Sequence, residues 1–173
     1  GLLQRVCFAD GQWEHYLCNT NFLATNRYSA YLDQAPTTNS ALCQSTHYFY
    51  GSNAIPGAAD GGFLFGTEPR LTIDCVEGHE VGRRYMVLKV GDRREIQCVN
   101  PGDPWDAQSN LVTRTLFYTN GVNVARRKSV EYPDGTMELF DYFIGTQRTN
   151  IVLRGQPNGG KTDIVDGTKE ITI

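Results

Sequence analysis

The segment GQPNGGKT, residues 155–162, fits the pattern G-x-x-x-x-G-K-[ST] with which nucleotide-binding loops hold phosphate groups. A working loop of this kind lies between a strand and a helix, because backbone N–H groups and the helix N-terminus hold the phosphates. Only DIVDGTKEITI follows Thr162, and Asp166-Gly167 interrupts it, so no such helix is expected. We interpret Gly159-Gly160-Lys161-Thr162 as a polar turn between the last two strands.

His79 stands in EGHE between Glu77 and Glu80, a composition that could serve a metal site or acid–base chemistry. Gly78 indicates a turn, so a solvated turn is the favoured interpretation. Four other groups lack the partners that catalysis needs. They are Asp10 with Glu14, Asp134 with Glu138, His15 with Cys18, and Lys128 with Ser129. We therefore predict neither a catalytic residue nor a metal ligand, and the sequence favours a non-enzyme without deciding against an enzyme.

Composition favours one globular domain over residues 1–173, with 40% hydrophobic and 20% charged residues. The net charge of −3 and the absence of a long basic stripe argue against a nucleic-acid partner. No apolar run reaches the length of a membrane span. The start at Gly1 without a Met suggests that a targeting peptide has been removed.

The five cysteines are spread without C-x-x-C spacing, which argues against zinc. Two disulfides with one free thiol would suit an oxidising compartment, and five reduced thiols a cytosol or a stroma. The odd number leaves both alternatives open.

Period-two alternation of β-branched and aromatic residues begins near His47 and predicts an antiparallel meander. Asn120-Gly121, Gly91-Asp92 and Pro133-Asp134-Gly135 are the turn signals. Residues 1–46 are predicted to be irregular or short-helical. The predicted strands are His47–Tyr50, Gly62–Phe65, Arg70–Val76, Arg83–Val90, Arg93–Val99, Leu111–Thr119, Val122–Tyr132, Thr136–Ile144, Asn150–Arg154 and Thr168–Ile173.

So many strands in one domain would expose sheet edges, so closure into a β-barrel is expected. A barrel of this size can hold a small apolar ligand. Tyr85, Phe117 and Tyr142 are strand aromatics that would line the interior or simply fill the core. Arginines on inward positions would pair with a ligand carboxylate, and outward, solvated positions are the alternative. The candidates are Arg84, Arg127 and Arg148.

The loop Asn100–Asn110, NPGDPWDAQSN, is the longest irregular segment of the strand-rich half. It carries Trp105, and long loops of this kind often serve as lids or binding segments. We predict an interaction loop centred on Trp105.

Several short segments together resemble the S-type phycobiliprotein bilin lyases, a lipocalin-like family. Gly11-Gln12-Trp13 is similar to the G-x-W start of lipocalin-like barrels, where the Trp closes the barrel base. The other matching segments are GRRYMVLKVGDRREI (82–96), NVARRKS (123–129) and YPDGTMELFDYFIGTQR (132–148). The resemblance implies a lipocalin-like barrel in which Trp13 and Arg127 contact a bound tetrapyrrole, in a chloroplast stroma or lumen.

A second resemblance is to ependymin-related secreted proteins. It is carried by CFADGQWEH (7–15) and AIPGAA (54–59), and it implies an extracellular ligand-binding protein. The preferred hypothesis is non-catalytic binding of a hydrophobic small molecule, such as a tetrapyrrole. A structural subunit of a larger, photosynthetic assembly and a bilin lyase are the alternatives.

Overall fold

The chain forms an all-β protein in a computed structural model that describes residues 4–55, 68–144 and 148–173. Within these ranges, twelve antiparallel strands follow one another in the sheet in the order of the sequence. They are β1 (Arg5–Cys7), β2 (Trp13–Cys18), β3 (Ala24–Ser29), β4 (Gln44–Phe49), β5 (Leu71–Val76), β6 (His79–Lys89), β7 (Asp92–Gln97), β8 (Leu111–Phe117), β9 (Arg127–Glu131), β10 (Met137–Ile144), β11 (Arg148–Pro157) and β12 (Ile164–Thr172). Among the described residues, helix is limited to 3-10 turns at Ser40–Leu42 and Ser52–Ala54.

The predicted meander is confirmed, and its turns use the residues that the backbone requires. Glu77 and Gly78 both adopt positive φ, 50° and 78°, and join β5 to β6 in two residues. This is the combination that a tight hairpin needs to match the twist of its strands. Gly135, at φ 85°, ends the Pro133-Asp134-Gly135 turn before β10. The EGHE segment is therefore a hairpin turn, as predicted.

The prediction of an irregular or short-helical segment over residues 1–46 was wrong, because this segment forms β1, β2 and β3. Asp10-Gly11 lies in the β1–β2 connection, where Phe8 N–H donates to the Gln12 carbonyl at 2.8 Å. The strand WEHYLC is rich in aromatic side chains that suit a half-buried pleated surface. Six residues are too few for the sequence pattern to distinguish this strand from a short helix.

The strand predicted over Val122–Tyr132 begins later, at Arg127. Residues 118–126 form a loop in which Gly121 and Ala125 adopt positive φ, 75° and 65°. The signal at Asn120-Gly121 therefore marks a longer connection than a two-residue hairpin. The strand predicted over Gly62–Phe65 lies outside the described residues.

Strand order leaves β1 and β12 at the two ends of the sheet, and no β1–β12 pair occurs among the described residues. An antiparallel meander is thus shown, and its closure into a barrel stays a prediction. The chain divides into two compact units, Gly1–Val87 with Ile96–Asn110 and Leu88–Glu95 with Leu111–Ile173, called unit 1 and unit 2 below. The expectation of a single domain over residues 1–173 stays a prediction.

Unit 1 has a core built on Trp13, Tyr28 and Cys43, against which Ala30 packs. The Trp13 side chain is 2% exposed, and its indole N–H donates to the Gln34 carbonyl at 2.8 Å. This bond attaches the segment after β3 to the start of β2. A buried indole thus satisfies its polar atom, as buried tryptophans usually do.

In unit 2, Ser129, Val130 and Met137 are buried on β9 and β10. Gly155 and Gly167 are register partners on β11 and β12. A Cβ on Gly155 would lie 2.0 Å from the Asp166 carbonyl oxygen, and a Cβ on Gly167 would lie 1.9 Å from the Arg154 carbonyl oxygen. Only glycines allow the two backbones to approach this closely.

All five cysteines are free thiols. Cys43 and Cys98 are buried, and burial raises the pKa of both thiols, which keeps them protonated. Within the described ranges, no helix has the length and hydropathy needed to cross a membrane.

Candidate functional site

Unit 2 contains a groove of about 500 Å³ between the strands β9–β12 and the turn that joins β11 to β12. We call it the lysine groove. Its lining combines apolar side chains with three lysines and one carboxylate. The lining residues are Tyr118, Lys128, Leu139, Phe140, Asp141, Ile151, Leu153, Gly160, Lys161, Thr162 and Lys169.

Strand register explains the apolar floor of the groove. Leu139 of β10 lies opposite Leu153 of β11, which in turn lies opposite Lys169 of β12. One step along the same face, Asp141 lies opposite Ile151. Directly opposed residues of antiparallel strands share a face, as do alternate residues of one strand. The floor is therefore an apolar patch with Lys169 at one side and Asp141 along one edge.

The β11–β12 turn forms one wall and confirms the interpretation of Gly159-Gly160-Lys161-Thr162 as a polar turn. The Asn158 side chain holds it, because Oδ1 accepts from Thr162 N–H at 2.9 Å and Nδ2 donates to Thr162 Oγ1 at 3.0 Å. Lys161 adopts positive φ, 54°, within this turn. The turn directs the Lys161 side chain toward β9, where Nζ donates to Glu131 Oε2 at 2.6 Å.

Glu131 belongs to a chain of alternating charges within unit 2. Its Oε1 lies 3.9 Å from Arg114 Nη1, and Arg114 Nη2 donates to Asp92 Oδ2 at 2.9 Å. Arg94 donates to the same Asp92 oxygen at 3.1 Å. Burial opposes ionisation of Asp92, but the hydrogen bonds and charges of Arg114 and Arg94 outweigh it and lower the pKa of Asp92 below its ordinary 3.8.

Asp92→Asn is expected to lower the free energy of unfolding by about 1.5–3 kcal/mol at neutral pH, the range for hydrogen bonds to charged groups. A carboxylate whose pKa is lower in the folded than in the unfolded chain stabilises the fold above its unfolded pKa. That contribution disappears as the pH falls through the folded pKa. Urea unfolding from pH 7 down to pH 2.5 should therefore show the variant and the parent converging in stability.

The control for Asp92→Asn is Asp166→Asn, since Asp166 is exposed on β12 of the same unit. It should leave stability within about 0.5 kcal/mol of the parent. A difference between Asp92→Asn and the parent that persists undiminished at pH 2.5 would contradict the ion-pair account.

Four of the residues predicted from sequence to bind a ligand lie in unit 2. Phe117 and Arg127 are register partners on β8 and β9, with Phe117 half-buried and Arg127 exposed. Arg148 is exposed at the start of β11. The Tyr142 ring lies 5.0 Å from the guanidinium of Arg126, the neighbour of the predicted Arg127.

The Tyr142 ring also meets Tyr118 edge-on, at 6.2 Å between centroids. Tyr118 lines the lysine groove, and its hydroxyl donates to the Phe140 carbonyl at 3.1 Å. Tyr142 therefore contacts Tyr118, a residue that lines the groove, without lining the groove itself. None of the residues predicted to bind a ligand is among those that line the groove.

The remaining predicted residues lie in unit 1. Trp13 is in the core, and Tyr85 is 7% exposed. The Arg84 side chain is 58% exposed and pairs with Asp74 at 3.1 Å. Its neighbour Arg83 is the arginine that contacts Tyr85, donating to the hydroxyl at 3.1 Å.

The loop that carries Trp105 is attached to β6 by two hydrogen bonds. Gly102 N–H donates to Glu80 Oε1 at 2.6 Å, and the Tyr85 hydroxyl donates to the Asp103 carbonyl at 3.0 Å. Burial raises the pKa of Glu80, but the bonds from Arg83 and Gly102 offset it, and the pKa lies below its ordinary value. Trp105 itself is half-buried. The two hydrogen bonds hold the loop against β6 at residues 102 and 103.

Sequence reasoning did not predict that the residues lining the groove lie together. It also missed one polar chain in unit 1. Asn26 Nδ2 lies 2.6 Å from His47 Nδ1, and Ser45 Oγ lies 3.2 Å from His47 Nε2. Ser45 is 3% exposed, so this chain connects β3 to β4 rather than presenting a nucleophile. No group of three or more metal-ligating side chains occurs in the part of the chain that the structure describes.

Comparison of the chain with protein-family models, with curated proteins and with solved structures gives no match. The functional proposal therefore rests on the geometry of the lysine groove.

Proposed function

We propose that the protein binds a hydrophobic small molecule without catalysis, and that the lysine groove in unit 2 is the binding site. The observation that carries the proposal is the apolar floor formed by Leu139, Ile151 and Leu153 within a space of about 500 Å³. Small-molecule sites usually have volumes of about 300–1,000 Å³ and a mainly apolar lining with a few polar groups. The volume of the groove lies in this range, and its floor is apolar, while its sides carry three lysines and one carboxylate.

The test is the binding of N-phenyl-1-naphthylamine, an uncharged apolar dye whose fluorescence rises when it leaves water. We expect saturable binding to the parent protein, and Leu153→Gln should weaken it about tenfold or more. The physical reason is the loss of apolar contact area, since burying one leucine is worth about 1.5–3 kcal/mol. Titration by fluorescence gives the dissociation constant for each variant.

The matched control is Val165→Gln. Val165 lies on β12 of the same unit, is 70% exposed and is not among the residues that line the groove. This variant should bind the dye as the parent does, once circular dichroism shows that both variants are folded. Equal weakening by the two variants, or no saturable binding by the parent, would overturn the proposed site.

A tetrapyrrole is the ligand class that the sequence resemblance suggests, and biliverdin is the second probe for the same titration. Closure into a lipocalin-like barrel stays the accompanying hypothesis, supported by the meander order in which up-and-down barrels are built. A chloroplast or a secreted location, a bilin-lyase activity and an ependymin relationship stay predictions.

A structural subunit of a larger assembly is the second candidate. It is favoured by the Trp105 loop, which Glu80 and Tyr85 hold in place and which would present a preformed surface. Native mass spectrometry of the protein from its own source separates the two candidates. Added small-molecule mass on the chain supports binding, and companion subunits on a chain without added mass support the assembly.

A further inference from the structure

We infer that the ligand of the lysine groove is an apolar acid whose anionic group lies against Lys169 and Lys128. This inference rests on the proposed function and adds the chemical class of the ligand.

Lys161 is the lysine whose charge is already balanced. Its Nζ donates to Glu131 at 2.6 Å, and Glu131 is itself tied to Arg114. Lys128 and Lys169 line the same groove, and neither forms an ion pair with any of the described residues. Two ammonium groups beside an apolar floor are therefore available to an incoming anion.

The position of Lys169 fits the head group of an acid. Lys169 lies directly opposite Leu153 on the groove face. An apolar acid whose carboxylate lies beside Lys169 therefore has its apolar part over the leucine floor. Asp141 is the carboxylate among the lining residues and lies one step away, opposite Ile151. Like charges repel, so Asp141 disfavours an anion at that position and places the acid group toward Lys169.

The test compares dodecanoic acid with dodecanol, which share one apolar body, as competitors of N-phenyl-1-naphthylamine below their aggregation concentrations. At pH 7.5 and low salt, the acid should displace the dye at about two- to thirtyfold lower concentration than the alcohol, the range that two exposed ion pairs supply. Raising the salt should reduce this preference by screening. Lys128→Gln with Lys169→Gln should remove the preference and leave dodecanol unaffected.

Lys89→Gln is the matched control, because Lys89 belongs to the same unit but does not line the groove. It should keep the full preference for the acid. Equal displacement by acid and alcohol, or a preference that survives the double substitution, would overturn the inference while the dye titration still supports the groove. A parent protein that fails to bind the dye would overturn the proposed function itself.

Discussion

Gly155→Ala is expected to lower the free energy of unfolding of unit 2 by at least about 2 kcal/mol. Gly155 has a φ of 144°, in a region that residues with a Cβ rarely adopt. Its added Cβ would lie 2.0 Å from the Asp166 carbonyl oxygen and 2.7 Å from Cα of Gly167. Both contacts are with backbone, so no side-chain rotation can relieve them, and β11 and β12 must separate.

The loss of stability in Gly155→Ala should be largest in β12. Amide exchange on β12 should become faster in Gly155→Ala, because the strand loses its register partner at the point of overlap. Urea unfolding measures the change in total stability, and hydrogen exchange locates it. Binding of the dye in the lysine groove should also weaken, because Lys169 lies two residues from Gly167 on the strand that moves.

The matched control is Gly159→Ala in the turn of the same hairpin. A Cβ at Gly159 meets no atom within 4 Å, so the substitution adds no overlap. Stability and β12 exchange should stay close to those of the parent. If Gly159→Ala and Gly155→Ala gave equal stabilities, close backbone approach at Gly155 would not be what requires a glycine there.

Trp13→Ala is expected to lower the free energy of unfolding by about 3–5 kcal/mol, the usual cost of truncating a buried aromatic side chain. Trp13 is 2% exposed and contacts the core that includes Tyr28 and Cys43. Removing it leaves a cavity and also frees the Gln34 carbonyl from the indole N–H. The segment after β3 then loses its attachment to β2.

Two further variants separate packing from hydrogen bonding. Trp13→Phe keeps an aromatic ring but loses the donor, so it should cost less than Trp13→Ala, with at least about 1 kcal/mol from the lost bond. Phe8→Ala removes a side chain that is 47% exposed and should cost less than about 1 kcal/mol. Urea unfolding followed by circular dichroism gives all three values. A Trp13→Ala loss no larger than that of Phe8→Ala would contradict the core assignment.

Turn chemistry made the second half of the fold predictable. Gly78, Gly91 and Gly135 all adopt positive φ at connections that the sequence marks as turns. The strands within residues 1–46 are harder to predict, because a six-residue strand such as WEHYLC shows too few alternations of apolar and polar residues. Short apolar runs do not distinguish strand from helix by period alone.

The groove could not be predicted in the same way. Leu139, Leu153 and Lys169 come from three strands, and they become neighbours only once the register of both strand pairs is fixed. A shift of one residue in either pair would place them on opposite faces. Lys161 was noticed as part of a phosphate-loop pattern, but its partner Glu131 is thirty positions away in the sequence.

The strict agreement between strand order and chain order has a consequence for how the protein assembles during synthesis. The entropy lost in closing a loop grows with its length, and sheets that pair distant segments fold slowly. Each described strand pairs only with its immediate neighbours along the chain. Each new strand can therefore join an existing edge soon after it leaves the ribosome, without waiting for the C-terminal residues.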